Sequence, residues 1–362
     1  MALTVTRLPD EPWDAITPEW QTLDLLRPVR VPFSSPLWAR LWWTHFRRDT
    51  LRACDHLALY TLRDPDGALV AVAPMMVTHR PGRSRLCTRE LQFLGADTNV
   101  TELRGMTARP GRENECAQAL MDCLDNERVA DFVQWHGLPP GLQRPGFHPS
   151  GTVTDFVLTL EPTWDALRAR LPRNVKESLR KGHNSLARNG HAFRTDVLEG
   201  AALGSGLKRL YDLHAMRARL AGTVAHIDIF AQPQARAFLA EYAQRSGTAR
   251  LFALDIGGAH VAMRLGFLYG RQLYLYYSGF DPAWSQYSVM TTLLGEAIRW
   301  AIGQGLERVN LSTGSDVSKT RWRPEAIDTS SGFQVHAGLR SRLSFRAVAT
   351  LRRRPLPLPD AA

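Results

Sequence analysis

No run in this sequence approaches the roughly eighteen consecutive apolar residues that a spanning helix needs, so a membrane-spanning chain is not expected. Cysteine is scarce. The four residues Cys54, Cys87, Cys116 and Cys123 show no Cys-x-x-Cys spacing, which argues against a disulfide framework or a zinc set. They read as small buried hydrophobes in a reducing compartment, and no metal is expected. Met1 to Trp13 carries Asp10 and Glu11 and no apolar stretch, so no signal peptide is read and a cytoplasmic protein is expected. Gly-x-Ser-x-Gly, the Walker loop and His-Glu-x-x-His are all missing, which removes three common enzyme classes. One His-x-x-x-x-Asp, from His191 to Asp196, looks superficially like a glycerolipid acyltransferase motif. Its neighbourhood reads as a strand, and among 11 histidines such a match arises readily by chance.

What is present describes a folded protein. The 362 residues are 44% hydrophobic and 22% charged, enough for one large or two medium domains. A net charge of +10 favours anionic partners such as phosphate-rich cofactors or lipid headgroups; DNA is not among those expected. The charge is uneven. Six arginines and no acid lie between Ala337 and Arg354, and Arg173, Lys176, Arg180, Lys181 and Arg188 are opposed only by Glu177.

An internal echo organises the chain. Leu57 to Ala71 reads as a hairpin with an Asp-Pro-Asp-Gly67 turn, and Arg250 to Ala262 repeats the design around Gly257-Gly258. Gly-Ala-x-Val-Ala recurs at 67–71 and 258–262, which suggests duplication. In the first half, helices are predicted at 37–46 and 113–126 and a strand at 131–135. In the second, helices are predicted at 164–170, 175–189, 207–220, 234–244 and 289–302, with strands at 272–278 and 308–312. Gly137–Gly151 holds four prolines and four glycines and reads as the linker. The expected divisions are 1–151, 152–338 and a basic, Pro-rich tail over 339–362.

Leu207, Leu210, Tyr211 and His214 follow helical spacing, so His214 lies on an apolar stripe. It is either a satisfied core histidine or a general base. Arg217, one turn on, is either a solvated arginine or a clamp for an acceptor carboxylate or phosphate.

The order of motifs then carries a resemblance. Phe33-Ser-Ser-Pro-x-Trp38, Val70-Ala-x-x-Pro74 and Leu91-Gln-Phe-Leu-Gly95 mark the first half. Leu210-x-x-Leu-His214-x-x-Arg217, the second hairpin, Gly279-Phe-Asp281-Pro, Gly305 and Gly314-x-Asp316-x-x-Lys319-x-x-Trp322 mark the second. The series resembles the GNAT superfamily over about residues 25 to 340, specifically its cellulose-biosynthesis-type (CelD-like) acetyltransferases. These are related to the aminoacyltransferases that build peptidoglycan bridges. The resemblance implies an α/β (α+β) fold of two tandem GNAT-like domains, each a mixed, mostly antiparallel sheet flanked by helices. It also implies acyl-CoA as co-substrate, with no permanently bound cofactor.

In that family acyl-CoA lies where two central strands splay, and the start of the next helix takes the pyrophosphate, as a helix N-terminus suits an anion. The family's Arg/Gln-x-x-Gly-x-Gly/Ala loop is represented by Gln286-Tyr-Ser288-Val289-Met290-Thr291, in which Gln286 fits and neither glycine does. Residues 286 and 288–291 are the expected cofactor contacts. His214, Lys319 and Tyr276 are the catalytic candidates; Lys319 is a carbonyl polariser or a surface lysine, and Tyr276 a proton donor or a packing residue. Arg173, Lys176, Arg217, Asp316 and Trp322 are the substrate candidates. The reading is an N-acyltransferase whose acceptor is a sugar amine or a lipid-like, sphingoid-type amine, peripheral on an anionic membrane surface through its basic tail. An aminoacyl-tRNA donor, favoured by the missing glycines and the charge, and a degenerate scaffold for envelope polysaccharide synthesis are the alternatives.

Overall fold

The structure, a computed structural model, describes residues 2–82, 87–97, 99–220 and 227–353, the last three by backbone alone. Two compact units form. One takes the chain up to Val153 and again from Asp328; the other is Thr154–Ile327.

The first unit opens with β1 (Thr4–Arg7), α1 (Trp13–Leu25) and α2 (Pro36–Phe46). Ser35 caps α2 by accepting from the Trp38 amide, and Pro36 occupies the first helical position, where its missing N–H costs nothing. The hairpin follows as β2 (Cys54–Arg63) and β3 (Leu69–Arg80), then β4 (Thr88–Phe93), the short β5 (Thr107–Ala108), α3 (Glu113–Glu127) and β6 (Phe132–Leu138). Gly67, at φ +87°, makes the hairpin turn and donates to the Asp64 carbonyl. From Leu69 to Thr78 every β3 residue is buried, the mark of a strand covered on both faces. The strand β7 (Phe147–Thr159) begins in this unit and ends in the second.

The second unit continues with α4 (Trp164–Arg170), α5 (Arg173–Arg188), β8 (Phe193–Leu198), α6 (Leu203–Ala218) and α7 (Pro233–Ser246). Then come β9 (Ala249–Ile256), β10 (Ala259–Tyr269), β11 (Gln272–Phe280), α8 (Val289–Gly303), β12 (Arg308–Thr313) and α9 (Val317–Thr320). Gly257 and Gly258, at φ +65° and +85°, form the two-residue turn of the second hairpin. Finally β13 (Glu325–Val335) returns the chain to the first unit, where α10 (Leu339–Arg353) ends the described chain.

Strand topology bears out the duplication. In the first unit the order is β1-β2-β3-β4-β6-β13; in the second it is β8-β9-β10-β11-β12-β7. In both, the fourth and fifth strands are parallel and the other neighbours antiparallel. The two hairpins hold equivalent places. Two tandem GNAT-like halves, each a mixed, mostly antiparallel sheet flanked by helices, are therefore present.

The expected divisions need correction. Residues 137–151 are not all linker, because β6 runs to Leu138 and β7 begins at Phe147. The end of the second half also moves: β13 pairs with β6 through residues 330–335. The Gln334 side chain accepts from Trp135 Nε1 at 3.0 Å and donates to the Met121 carbonyl at 3.0 Å, a buried amide satisfied at both ends. The segment 339–353, assigned to the tail, is a helix anchored by its Arg340, which donates to Asp131 at 3.0 Å. Residues 354–362 lie outside the described chain.

Candidate functional site

Within the second unit, β11 and β12 pair at Gln272–Arg308, Leu273–Val309 and Tyr274–Asn310, and beyond these three positions they part. Beside that opening is a cleft of about 250 Å³. Its walls are Phe280 at the end of β11, Ser288 to Thr291 at the start of α8, Arg217 of α6, Arg264 of β10, and Asp316, Ser318 and Arg321 around α9.

The start of α8 leaves backbone donors open. Ser288 takes a left-handed conformation, φ +54°, and donates to the Ser285 carbonyl, while its own carbonyl accepts from the Thr291 and Thr292 amides. No acceptor among the described residues meets the Val289 and Met290 amides, two of the orphan donors every helix start presents. Val289 is buried in the unit's core with Leu293 and Ile298, so its branched side chain points inward rather than over those amides. The missing glycines therefore leave these amides uncovered. Close packing is met from the other side. A Cβ on Gly182 of α5 would lie 2.8 Å from Thr292 Oγ1 and 3.3 Å from the Tyr287 carbonyl, so glycine lets α5 reach this helix start.

Cations surround the opening. Arg321 donates from Nη2 to Thr291 Oγ1 at 2.7 Å and from Nη1 to Ser178 Oγ at 3.4 Å, and its buried Nε has no partner among the described residues. Arg217 and Arg264 both donate to Ser278 Oγ, at 3.3 and 3.5 Å. Burial holds the Arg217 and Arg321 guanidiniums below their usual range, with the Asp316 charge opposing it in each case. Burial pushes Asp316 up, but hydrogen bonds from Ser318 and the charges of Lys319 and Arg217 outweigh it and leave the carboxyl below the usual carboxylate range. Three arginines face one aspartate, so the cleft has a net positive lining.

The sequence candidates divide clearly. Ser288, Val289, Met290, Thr291, Arg217 and Asp316 meet at the cleft. Gln286 is exposed on the 3-10 turn Pro282–Tyr287 and does not line it. His214 is 5% exposed. Its Nδ1 lies 3.0 Å from the Ser278 carbonyl and its Nε2 3.2 Å from the Ile227 carbonyl, so both nitrogens face protein acceptors, and the residue does not line the cleft. Carbonyls only accept, so a neutral ring donates to one of the two, and this geometry fits an anchor between α6 and its neighbours. Tyr276 is buried against Phe267 and Tyr277, away from the lining. The Lys319 amine donates to the Thr313 carbonyl and closes its own loop. Trp322 is 1% exposed and belongs to the core. Arg173 pairs with Glu177 at 2.6 Å on the exposed side of α5, and Lys176 donates to the Ala169 carbonyl at 2.9 Å; neither lines the cleft.

Arg264 and Arg321 escaped the sequence reading. The signal for Arg264 is a charge inside an otherwise apolar strand, Val261-Ala-Met-Arg264-Leu-Gly-Phe267. Arg321 lies between the two residues chosen instead, Lys319 and Trp322. A third group also went unread: Asp196, Asp255 and His260 bring ligand atoms within 4.8 Å of one another. Arg194 pairs with both carboxylates, at 3.3 and 3.7 Å, so part of their charge is already met by protein.

Residues 173–320 match the family model described as Acetyltransferase (GNAT) domain, a span that holds most of the cleft lining. No curated protein matches the chain. Among solved structures, FemX aligns over 95% of this chain and 99% of its own, with 9% identity and a TM-score of 0.60. The C-terminal domain (DUF2156) of a putative lysylphosphatidylglycerol synthetase from Agrobacterium fabrum aligns over 94% of this chain and 96% of its own, with 10% identity and a TM-score of 0.52. At such identities the shared property is the fold. The second unit thus carries a segment that matches a GNAT acetyltransferase domain, within a chain whose fold is shared with FemX.

Proposed function

We propose that the chain is an N-acyltransferase that draws its acyl group from acyl-CoA, within the CelD-like branch of the GNAT superfamily. One observation carries the reading: the Val289 and Met290 amides, without acceptors among the described residues, stand with Arg321 at a cleft opened by the parting of β11 and β12. Backbone amides at a helix N-terminus hold phosphate by direct donation and by the helix dipole together. An adjacent guanidinium adds a charge-assisted fork. The acyl thioester then extends along the strand edges that the splay leaves open. Asp316, the one carboxylate among the described residues that line the cleft, is suited to receive the acceptor's ammonium. The acceptor class is a sugar amine or a lipid-like amine.

Calorimetric titration with acetyl-CoA tests the donor. Binding with heat that falls as salt rises is expected, since phosphate contacts are screened. No binding by acetyl-CoA, CoA or a long-chain acyl-CoA would leave a tRNA-borne donor or a non-catalytic scaffold in its place.

The site on the membrane is part of the same proposal. Helix α10 turns Leu339 and Leu343 outward, 74% and 55% exposed, with exposed Arg342 and Arg346 between and after them and no acid on the helix. A basic face with apolar insertions suits an anionic bilayer surface. No helix among the described residues is long and apolar enough to cross a membrane.

A further inference from the structure

We infer that a basic stripe on α5, Lys181 with Arg188, takes the 3′-phosphate of CoA, beyond the pyrophosphate at the start of α8. The inference rests on the reading of that helix start as the donor's pyrophosphate site. It begins with spacing. Asn174, Ser178, Lys181, Ser185 and Arg188 recur at alternate steps of four and three, so they share one side of α5, and none is an acid. Contacts show which way that side turns. Ser178 Oγ accepts from Arg321 Nη1 at 3.4 Å. One residue after Lys181, a Cβ on Gly182 would lie 4.0 Å from Ser288 Cβ and 2.8 Å from Thr292 Oγ1. One residue after Arg188, Asn189 Nδ2 donates to the hydroxyl of Tyr287, the neighbour of Ser288, at 2.8 Å. Each cation is therefore a single residue from a contact with the start of α8 or with the turn that leads into it, and consecutive Cα atoms are only about 3.8 Å apart.

The cations of α5 are not equivalent. Arg173 is paired with Glu177, the helix's one acid, at 2.6 Å, and Lys176 donates to the Ala169 carbonyl at 2.9 Å. Lys181 is exposed and has no partner among the described residues. Arg188 is exposed too, and its Nε donates to the Asn184 carbonyl of its own helix at 3.3 Å. An anion on this side of α5 thus meets two cations and no carboxylate of the helix. CoA has such an anion to offer, because one ribose joins its pyrophosphate to its 3′-phosphate. Whatever seats the first holds the second within a sugar's width. Past Ser178, where the Arg321 guanidinium ends, Lys181 is the next cation on the stripe. A phosphate monoester carries close to two charges near neutrality, which suits two cations better than one. Lys181 and Arg188 stand about two helical turns apart, and both side chains are long enough to converge on one phosphate. The stripe has no apolar residue to enter a bilayer, which favours a phosphate ligand over a membrane surface.

The test uses the full chain and two ligands that differ by that one phosphate, CoA and 3′-dephospho-CoA, titrated by calorimetry. The stripe is exposed, so each contact is screened and small. Wild type should bind CoA about tenfold more tightly at low salt, and the preference should shrink as salt rises. Lys181→Gln and Arg188→Gln should each remove roughly threefold of it and leave the dephospho-CoA Kd within about twofold. The double variant should bind the two ligands alike, with circular dichroism confirming the fold. Arg180→Gln removes a cation of the same helix that lies off the stripe, and it should keep the wild-type preference. The inference is overturned if wild type binds both ligands equally, or if Lys181→Gln weakens both to the same extent. It is equally overturned if Arg180→Gln erases the preference as fully as Lys181→Gln, since net charge and not the stripe would then be responsible. Variants that lose sedimentation with anionic vesicles and keep the CoA preference would assign the stripe to a membrane surface instead. Failure of both ligands to bind would refute the donor reading itself, and this inference with it.

Discussion

Replacing Arg321 by alanine removes the side chain on which the donor reading most depends. Its Nη2 lies 2.7 Å from Thr291 Oγ1 at the start of α8, and its buried Nε has no partner among the described residues. A phosphate there gains a charge-assisted hydrogen bond, worth about 1.5–3 kcal/mol. The guanidinium is half-buried, so the lower part of that range applies. At about 1.4 kcal/mol per factor of ten, Arg321→Ala should weaken acetyl-CoA binding by roughly tenfold to thirtyfold. Calorimetry at two salt concentrations measures it, and the salt dependence should flatten in the variant because one screened contact has gone. Pantetheine, which lacks the phosphates, supplies the control: its affinity should be the same for both proteins. Equal acetyl-CoA affinity in wild type and variant, or an equal loss for pantetheine, would refute the phosphate assignment.

His214→Ala should destabilise the protein by about 1–3 kcal/mol, since it leaves one of the Ser278 and Ile227 carbonyls without its donor, while turnover per folded molecule stays near wild type; urea unfolding and active-site titration separate the two. Gly182→Ala forces a Cβ to 2.8 Å from Thr292 Oγ1 and should cost about 1–2 kcal/mol in stability and several-fold in acetyl-CoA affinity, read by melting and calorimetry. In the first unit, Asp55 accepts from Arg48 Nε and Nη2, each at 2.8 Å, and from Thr78 at 2.7 Å. Burial pushes its carboxyl up, but the Arg48 and Thr78 hydrogen bonds outweigh burial and hold it low. A depressed folded pKa stabilises above the unfolded value of about 3.9 and the gain is lost as pH falls through the folded value. Asp55→Asn should therefore flatten the acid limb of stability and cost about 2–4 kcal/mol near neutrality, by urea titrations across pH. For α10, wild type should sediment with anionic vesicles at low salt and not at high salt, and Leu343→Asp should abolish sedimentation; equal behaviour of both proteins removes the helix from the membrane reading.

The fold was legible because its signals were redundant. The two hairpins carry Gly67 and Gly257-Gly258 where positive φ is required, and the flanking apolar strands and amphipathic helices repeat in the same order. Register across long separations was not legible. Nothing local tells β13 to pair with β6, about two hundred residues earlier, since the partner of Trp135 Nε1 is a glutamine set between Phe333 and Val335 in a strand that could pair anywhere. At the site, the helix start was found from its loop pattern, whereas His214 and Tyr276 were chosen for their chemistry without sight of their neighbours. A histidine on an apolar stripe reads the same whether its nitrogens face a cavity or two carbonyls. Arg264 and Arg321 were missed for the opposite reason. An arginine reads as surface unless the strand or turn that buries it is already known, and their convergence joins segments about sixty residues apart.

The paired topology raises a question of chemistry that a single measurement answers. Both units splay after three parallel pairs, and both place a helix next in sequence before the fifth strand, so by fold alone both could cradle a phosphate. The helix starts differ in charge. The first turn of α8 has no acid. That of α3 carries Glu113 and Glu115; Arg112 at its cap is held at 2.7–2.8 Å by Asp64 and Glu115, and Arg109 lies 3.9 Å from Asp64, so these cations are already paired. Carboxylates there satisfy the dipole that a phosphate would otherwise use, and they repel the incoming anion as well. Acetyl-CoA should accordingly bind once per chain, at the second unit, and Arg321→Ala should lower that one event without exposing a weaker second one. The calorimetric stoichiometry decides the point. Two equivalent events per chain, or a residual event untouched by Arg321→Ala, would mean that charge at the helix start does not decide which half takes the donor.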